Sequence, residues 1–177
     1  MTTWHEPSAT PGCEPGTVWW LTGLSGAGKT TLAEQLALVL RAAGRVAVLL
    51  DGDELRARMF PGAGHAEEDR RALARRYGQL ADLVARQGLD VVCATISLFP
   101  EIHAENRQLF AVYREILVRA PRAVRVARKP NVYMGASGPV AGDNLEVCEP
   151  ADPHATVDND GTRTPQELAQ ELWGSLR

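Results

Sequence analysis

Eight consecutive residues, Gly23-Leu24-Ser25-Gly26-Ala27-Gly28-Lys29-Thr30, follow the spacing G-x-x-x-x-G-K-[ST] and run on into Thr31. This is the pattern of a phosphate-binding loop, or P-loop. Glycines let successive backbone N–H groups curl round an anion, and the N-terminus of a following helix adds its positive end. Lys29 is spaced to reach the β- and γ-phosphates, and the Thr30 hydroxyl suits magnesium. An accidental glycine-rich turn is the weaker reading, because a short apolar run precedes the motif and helical periodicity follows it. ATP or GTP binding is therefore expected.

The second group of chemistry-bearing residues is Asp51-Gly52-Asp53, where the apolar run Val46–Leu50 ends abruptly. Ligands of open α/β sheets bind at the carboxyl ends of the strands. Asp51 is placed there to orient or deprotonate an acceptor hydroxyl and to share magnesium with Thr30, with Asp53 working beside it. Two carboxylates in this position also suit the cap of a following helix, and that role stays open beside the catalytic one.

The elements that must hold these groups alternate along the chain. Val18–Leu21 reads as a buried strand and Lys29–Ala43 as a helix closed by Gly44. A long helix is predicted from about Glu67 to Gln87, burying Leu73, Leu80, Leu83 and Val84 and exposing Asp69, Arg70, Arg75 and Arg76. Further strands are expected at Val91–Thr95, Tyr113–Val118 and Ala155–Val157, with helices at Pro100–Phe110 and Arg122–Arg128. Thr164-Pro165-Gln166-Glu167 opens the last helix with a capping box. The pattern predicts an α/β, three-layer P-loop NTPase fold, with a parallel sheet of about five strands and helices on both faces. Residues 1–16, rich in proline and glycine, read as a flexible leader, and 17–177 as the P-loop domain. Within it, 129–153 lacks periodicity and reads as a candidate lid.

Composition removes several classes of partner. The 177 residues carry a formal charge of -3, so no global positive field draws the chain to nucleic acid or to an anionic membrane. No apolar run approaches the ~20 residues of a membrane span, and Met1–Gly16 lacks the basic and apolar regions of an export signal. Cys13, Cys93 and Cys148 are widely spaced and encode neither a disulfide framework nor a zinc site, which fits the cytoplasm. His65, His103 and His154 are isolated and read as surface residues. Of 19 basic residues only Lys29 and Lys129 are lysines, so anion binding falls to one P-loop lysine and a set of arginines. Arg41, Arg45, Arg119, Arg122 and Arg125 need no special role, and Arg71, Arg86 and Arg114 read as a solvated helix or strand face.

Three segments together resemble the signatures of adenylylsulfate (APS) kinases: Leu21–Thr31 with its P-loop, Leu50-Asp51-Gly52-Asp53-Glu54-Leu55-Arg56, and Asp69-Arg70 followed by Arg75-Arg76. The resemblance runs from about Val18 to Leu172 and implies ATP-dependent phosphorylation of a nucleotide ribose 3'-hydroxyl, with Mg²⁺ and commonly a homodimer. It makes Asp51 the catalytic candidate together with Lys29, and gives Arg56, Arg70 and Arg75 to the anionic acceptor, a role planar guanidinium forks suit. It places Phe60 where an acceptor base would stack, with ordinary core packing an equal alternative, and Arg128 near the ATP adenine. It matches Ile96, Ser97 and Leu98 to an acceptor-side segment and Ser97 to a serine sometimes described as a phosphorylated intermediate, which direct in-line transfer does not need.

Departures cluster on the acceptor side. Leu73 stands where the family shows an asparagine, Thr95–Pro100 replaces a more uniform segment, and Lys129-Pro130-Asn131-Val132-Tyr133 is an altered form of the family's lysine-bearing lid. Ala94–Phe99 with Glu101-Ile102 and Asn106-Arg107 is similar to a branch that phosphorylates cytidine diphosphoramidate. The expected function is thus an ATP-dependent kinase acting on a small anionic, nucleotide-like acceptor. The alternative is a catalytically weakened ATP-binding module that regulates or assembles with a partner.

Overall fold

The computed structural model describes residues 14–64, 66–134 and 147–177. Its elements are β1 (Val18–Thr22), α1 (Lys29–Ala42), β2 (Ala47–Asp51), α2 (Gly52–Met59), α3 (Glu67–Ala85), β3 (Asp90–Ala94), α4 (Pro100–Leu109), β4 (Tyr113–Arg119), α5 (Arg122–Arg128), α6 (Pro130–Tyr133), β5 (Ala155–Asp158) and α7 (Pro165–Leu176). The five strands form one sheet in the order β2-β3-β1-β4-β5, and every pairing is parallel. The chain winds outward to β2, returns through β3 and crosses β1 to reach β4. The direction therefore reverses beside β1, and the P-loop leaves the sheet at that switch point.

Alternation along the central strands sorts the core into two layers. Trp19 and Leu21 of β1, with Val92, Ala94, Ile116 and Val118, pack against Leu32, Leu36 and Leu40 of α1 and Leu168 and Leu172 of α7. Val18 and Trp20 face the other way, with Val91 and Cys93, onto Leu73, Tyr77 and Ala81 of α3 and Ile102 of α4. Both faces of the sheet are covered, which is the expected three-layer α/β architecture. The predicted capping box is present: the Thr164 hydroxyl accepts from Glu167 N–H and the Glu167 carboxylate accepts from Thr164 N–H.

Several details differ from expectation. Helix α2 is the helix that the capping reading of Asp51 allowed, although its eight residues carry one leucine and one methionine and show no apolar stripe. In α3 the buried face is Leu73, Ala74, Tyr77, Gly78, Ala81 and Ala85, while Leu83 is 49% exposed. Small residues let α3 lie close to the sheet, and that row turns Leu83 outward. His103 is not a surface residue. It is 5% exposed, and its Nδ1 lies 2.7 Å from Oε1 of the fully buried Glu115. Burial alone would raise the Glu115 carboxyl, but hydrogen bonding from His103 and the charges of His103 and Arg107 hold it below the usual carboxylate range. His154 is exposed, yet its Nδ1 accepts the Glu115 N–H at 3.0 Å.

Of the expected leader, residues 1–13 lie outside the described residues, as does His65. Gly16 is already docked, buried and donating its N–H to Ala85 O at 2.8 Å. Of the candidate lid, 135–146 lie outside the described residues. Its entry forms α6, and its exit is tied down by Glu149 on Arg119 and by the Asp152 carbonyl on Arg107.

Candidate active site

A cavity of about 490 Å³ opens where β1, β2 and β3 end. One side is the phosphate loop: Ser25, Gly26, Gly28, Lys29, Thr30 and Thr31 all line it. Gly28 is the N-cap of α1 at φ 92°, a left-handed backbone that glycine adopts without steric cost. Lys29 Nζ donates to Leu24 O at 2.9 Å. Desolvation lowers its pKa to about 8, against opposing charge from Asp53 and Asp51. Gly23, Leu24 and Ala27 shape the loop from behind and do not line the cavity.

Asp51 joins the phosphate side to the rest. Its Oδ1 caps α2, accepting the Asp53 and Glu54 N–H groups at 2.9 and 3.1 Å. Its Oδ2 accepts the Thr30 hydroxyl at 2.7 Å. The two roles read from the sequence therefore coexist, one on each oxygen. Asp53 does not cap. It is exposed, and its carboxylate meets Lys129 Nζ at 3.4 Å across the cavity.

The far wall is divided between arginines and apolar groups. Arg56 of α2 and Arg70 of α3 both line the cavity. Arg56 donates to the Ala63 and Gly64 carbonyls at 2.6 and 2.5 Å, which fixes its guanidinium. Arg70 lies 5.7 Å from the Phe99 ring centroid, and its Nε is buried with no hydrogen-bond partner among the described residues. Leu73, Tyr77, Ile96, Leu98 and Phe99 complete the wall. Ser97 lines it at φ 23°, an uncommon backbone for a non-glycine residue. Its buried hydroxyl pairs with Thr95 Oγ1 at 2.8 Å.

Two expected acceptor residues are not brought to the cavity. Arg75 points off α3 to α4 and grips both oxygens of Glu105. Phe60 packs on Tyr77 with ring centroids 6.2 Å apart, and Arg76 covers its outer face. Besides Phe99, the aromatic ring that lines the cavity is that of Tyr77, whose hydroxyl donates to Gly52 O at 3.1 Å. Its signal was present in the sequence, since Arg70, Leu73 and Tyr77 fall at helical spacing on one face.

The sequence profile described as adenylylsulphate kinase matches residues 15–142. The chain belongs to the adenylylsulphate kinase family. The adenylyl-sulfate kinase of Rippkaea orientalis is 42% identical over 92% of this chain and 92% of its own length. That of Chloroflexus aurantiacus is 42% identical over 68% of this chain but 65% of its own length. In three dimensions the chain is similar to the Mycobacterium tuberculosis APS kinase solved with AMPPNP and APS. The TM-score is 0.84 at 29% identity, covering 93% of this chain and 98% of that one.

Adenylylsulphate kinases use ATP and Mg²⁺, and the oxygen donors here fit that ion. The described residues contain no group of three or more His, Cys, Asp or Glu that could hold a metal. Mg²⁺ in phosphoryl-transfer sites is held by one or two carboxylates together with substrate phosphates and water, not by an all-protein cage. The Thr30 hydroxyl and Asp51 carboxylate, side by side at the loop, are that kind of partial set. Arg128, exposed on α5, also borders the phosphate side, and no helix among the described residues is long and apolar enough to cross a membrane.

Proposed function

We propose that this chain transfers the γ-phosphate of ATP to a ribose hydroxyl, the 3'-OH, of a small anionic nucleotide: adenylyl sulfate or a relative such as cytidine diphosphoramidate. The observation that carries the reading is the Thr30–Asp51 contact, which sets a carboxylate between the phosphate loop and the arginine-bearing wall. Asp51 orients the acceptor hydroxyl and takes its proton as the new O–P bond forms and the bond to the β-phosphate oxygen breaks, leaving ADP. Lys29 and the loop amides neutralise the phosphates. Thr30 and Asp51 would hold Mg²⁺, which would supply further neutralisation of the phosphate charge.

Arg56 and Arg70 hold the acceptor's sulfate or phosphate as bidentate forks. The wall of Leu73, Tyr77, Ile96 and Leu98 takes the apolar faces of base and sugar. The Rippkaea and M. tuberculosis relatives support adenylyl sulfate as the first acceptor to test. The apolar Leu73, in a wall where a polar group would read a base edge, supports keeping the cytidine compound beside it.

The experiment is ADP release by the purified protein with Mg²⁺ and ATP, measured without acceptor, with adenylyl sulfate and with cytidine diphosphoramidate. Acceptor-dependent ADP, with a 3'-phosphorylated product by mass spectrometry and NMR, is expected. ATP binding with no acceptor-dependent turnover would replace this reading with that of an ATP-binding regulatory module.

A further inference from the structure

The carbonyl oxygens of Leu24 to Gly28 in the phosphate loop all accept hydrogen bonds, and two of them, Ser25 O and Ala27 O, accept from Tyr133 and Asn159, which do not line the cavity. Leu24 O accepts from Lys29 Nζ at 2.9 Å and Ser25 O from the Tyr133 hydroxyl at 2.6 Å. Gly26 O and Ala27 O each accept from Arg128 Nη1 at 3.4 Å. Ala27 O also accepts from Asn159 Nδ2 at 2.9 Å, and Gly28 O accepts the Leu32 N–H at 3.0 Å. A trans peptide is planar, so its C=O and the next residue's N–H point in opposite directions. Holding Ser25 O and Ala27 O outward therefore turns the Gly26 and Gly28 N–H groups inward.

Both anchoring side chains are themselves fixed. Asn159, just past β5, is 5% exposed, donates its own N–H to Arg119 O at 2.8 Å and accepts from Arg128 Nη2 at 3.2 Å on Oδ1. It sits so close to the loop that a Cβ on Gly28 would lie 2.3 Å from its Nδ2. Glycine at 28 thus answers to Asn159 as well as to backbone angle. Tyr133 of α6 accepts on its hydroxyl from Nη1 of the buried Arg125 at 2.6 Å. A guanidinium can only donate, so the phenolic proton is left for Ser25 O.

We propose that Tyr133 and Asn159 are positioning residues for the triphosphate, holding the loop carbonyls outward and so aiming the amides of Gly26 and Gly28 at phosphate. The inference rests on the ATP reading above, and its test separates the two. Binding of Mg²⁺-ATP and of Mg²⁺-tripolyphosphate is titrated calorimetrically on the full chain and on Tyr133→Phe and Asn159→Asp. Tyr133→Phe removes one hydroxyl, and Asn159→Asp keeps an acceptor for Arg128 while losing the donor to Ala27 O. Each is expected to raise Kd about fivefold, the order for one lost neutral hydrogen bond. The loss should be equal for both probes, with KM for adenylyl sulfate unchanged. Folded variants with wild-type Kd overturn the proposal, and Tyr133→Phe alone decides it if Asn159→Asp fails to fold. A loss seen with ATP but not tripolyphosphate also overturns it, since the residues would then be reading the nucleoside. A wild-type protein that binds neither probe overturns the functional reading itself.

Discussion

The half of the cavity proposed for phosphate is lined mainly by one unbroken loop, through Ser25, Gly26 and Gly28 to Thr31, whereas the half proposed for the acceptor is gathered from three places. Arg56 comes from α2, Arg70, Leu73 and Tyr77 from α3, and Ile96, Ser97 and Leu98 from the β3–α4 connection. A contiguous loop carries most of its geometry in its own residues, through glycine placement and a helix start, and Tyr133 and Asn159 then hold two of its carbonyls. A dispersed wall depends on how α2 and α3 pack against the sheet. Local chemistry should thus be conservative on the first side and adjustable on the second. Asp51 belongs to both.

The largest expected effect tests that junction. Asp51→Asn keeps an oxygen able to accept the Asp53 and Glu54 N–H groups, and asparagine caps helices as well as aspartate does. It loses the negative charge and basicity beside Thr30. Turnover should fall roughly 10²- to 10⁴-fold, the range for a lost general base, with little change in thermal melting. Near-normal kcat would reduce Asp51 to the cap alone.

Next comes the acceptor side by itself. Arg70→Ala should raise KM for adenylyl sulfate by roughly tenfold to a hundredfold, the scale of lost charge-assisted hydrogen bonds. KM for ATP should stay where it is. A comparable rise in KM for ATP would mean that the two halves are not independent.

The phosphate side can be probed by pH. Lys29 has its pKa lowered to about 8, chiefly by desolvation, and bound polyphosphate raises it again. Binding then takes up a proton above that value, so ATP affinity is flat below pH 8 and falls by up to about tenfold per unit above it. Lys29→Arg should bind without this break in a titration series. For folding the sign is opposite. Unfolded chains with the ordinary value of 10.5 hold more protons between about 8 and 10.5, so this group's contribution to stability rises with pH over that window.

The same contrast explains what was legible in the sequence. The P-loop, the Asp51 strand end, the parallel sheet and the Thr164–Glu167 capping box were readable because each is a local pattern with one geometric outcome. The resemblance gave Arg75 to the acceptor and left Phe60 open between acceptor and core packing; Phe60 packs on Tyr77, and Glu105 on α4 holds Arg75 away, a lean that sequence does not state. Tyr77 was missed because an aromatic at core spacing reads first as core, and only its helical spacing with Arg70 and Leu73 signals that its edge meets the cavity. Asn159 and the pair His103–Glu115 join residues far apart in sequence, at separations only the folded sheet closes. Arg125, which seemed to need no role, is buried against the loop through Tyr133.

Leu73→Asn is a smaller perturbation of the adjustable half. Leu73 is 4% exposed and borders the cavity, so asparagine would present an amide to the acceptor. The ratio of kcat/KM for adenylyl sulfate over cytidine diphosphoramidate should rise by roughly threefold to tenfold, within the scale of one polar contact in a pocket. A melting point lowered by the buried amide is expected as well. An unchanged ratio would show that Leu73 packs the wall without choosing the acceptor.

The smallest expected effect is the sharpest test of geometry against sequence pattern. Arg70 and Arg75 lie on one helix in one arginine-rich run, and both were assigned to the acceptor from the sequence. Arg75 is exposed and spends its guanidinium on both oxygens of Glu105, which raises its own pKa and lowers that of the carboxyl. Exposed ion pairs contribute little to stability, so Arg75→Ala should leave both KM values within about twofold and melting nearly unmoved. Should it instead match Arg70→Ala, Arg75 must release Glu105 and swing to the acceptor during turnover. Glu105→Gln would then lower KM for adenylyl sulfate by freeing the arginine, whereas a fixed Arg75–Glu105 pair predicts no change.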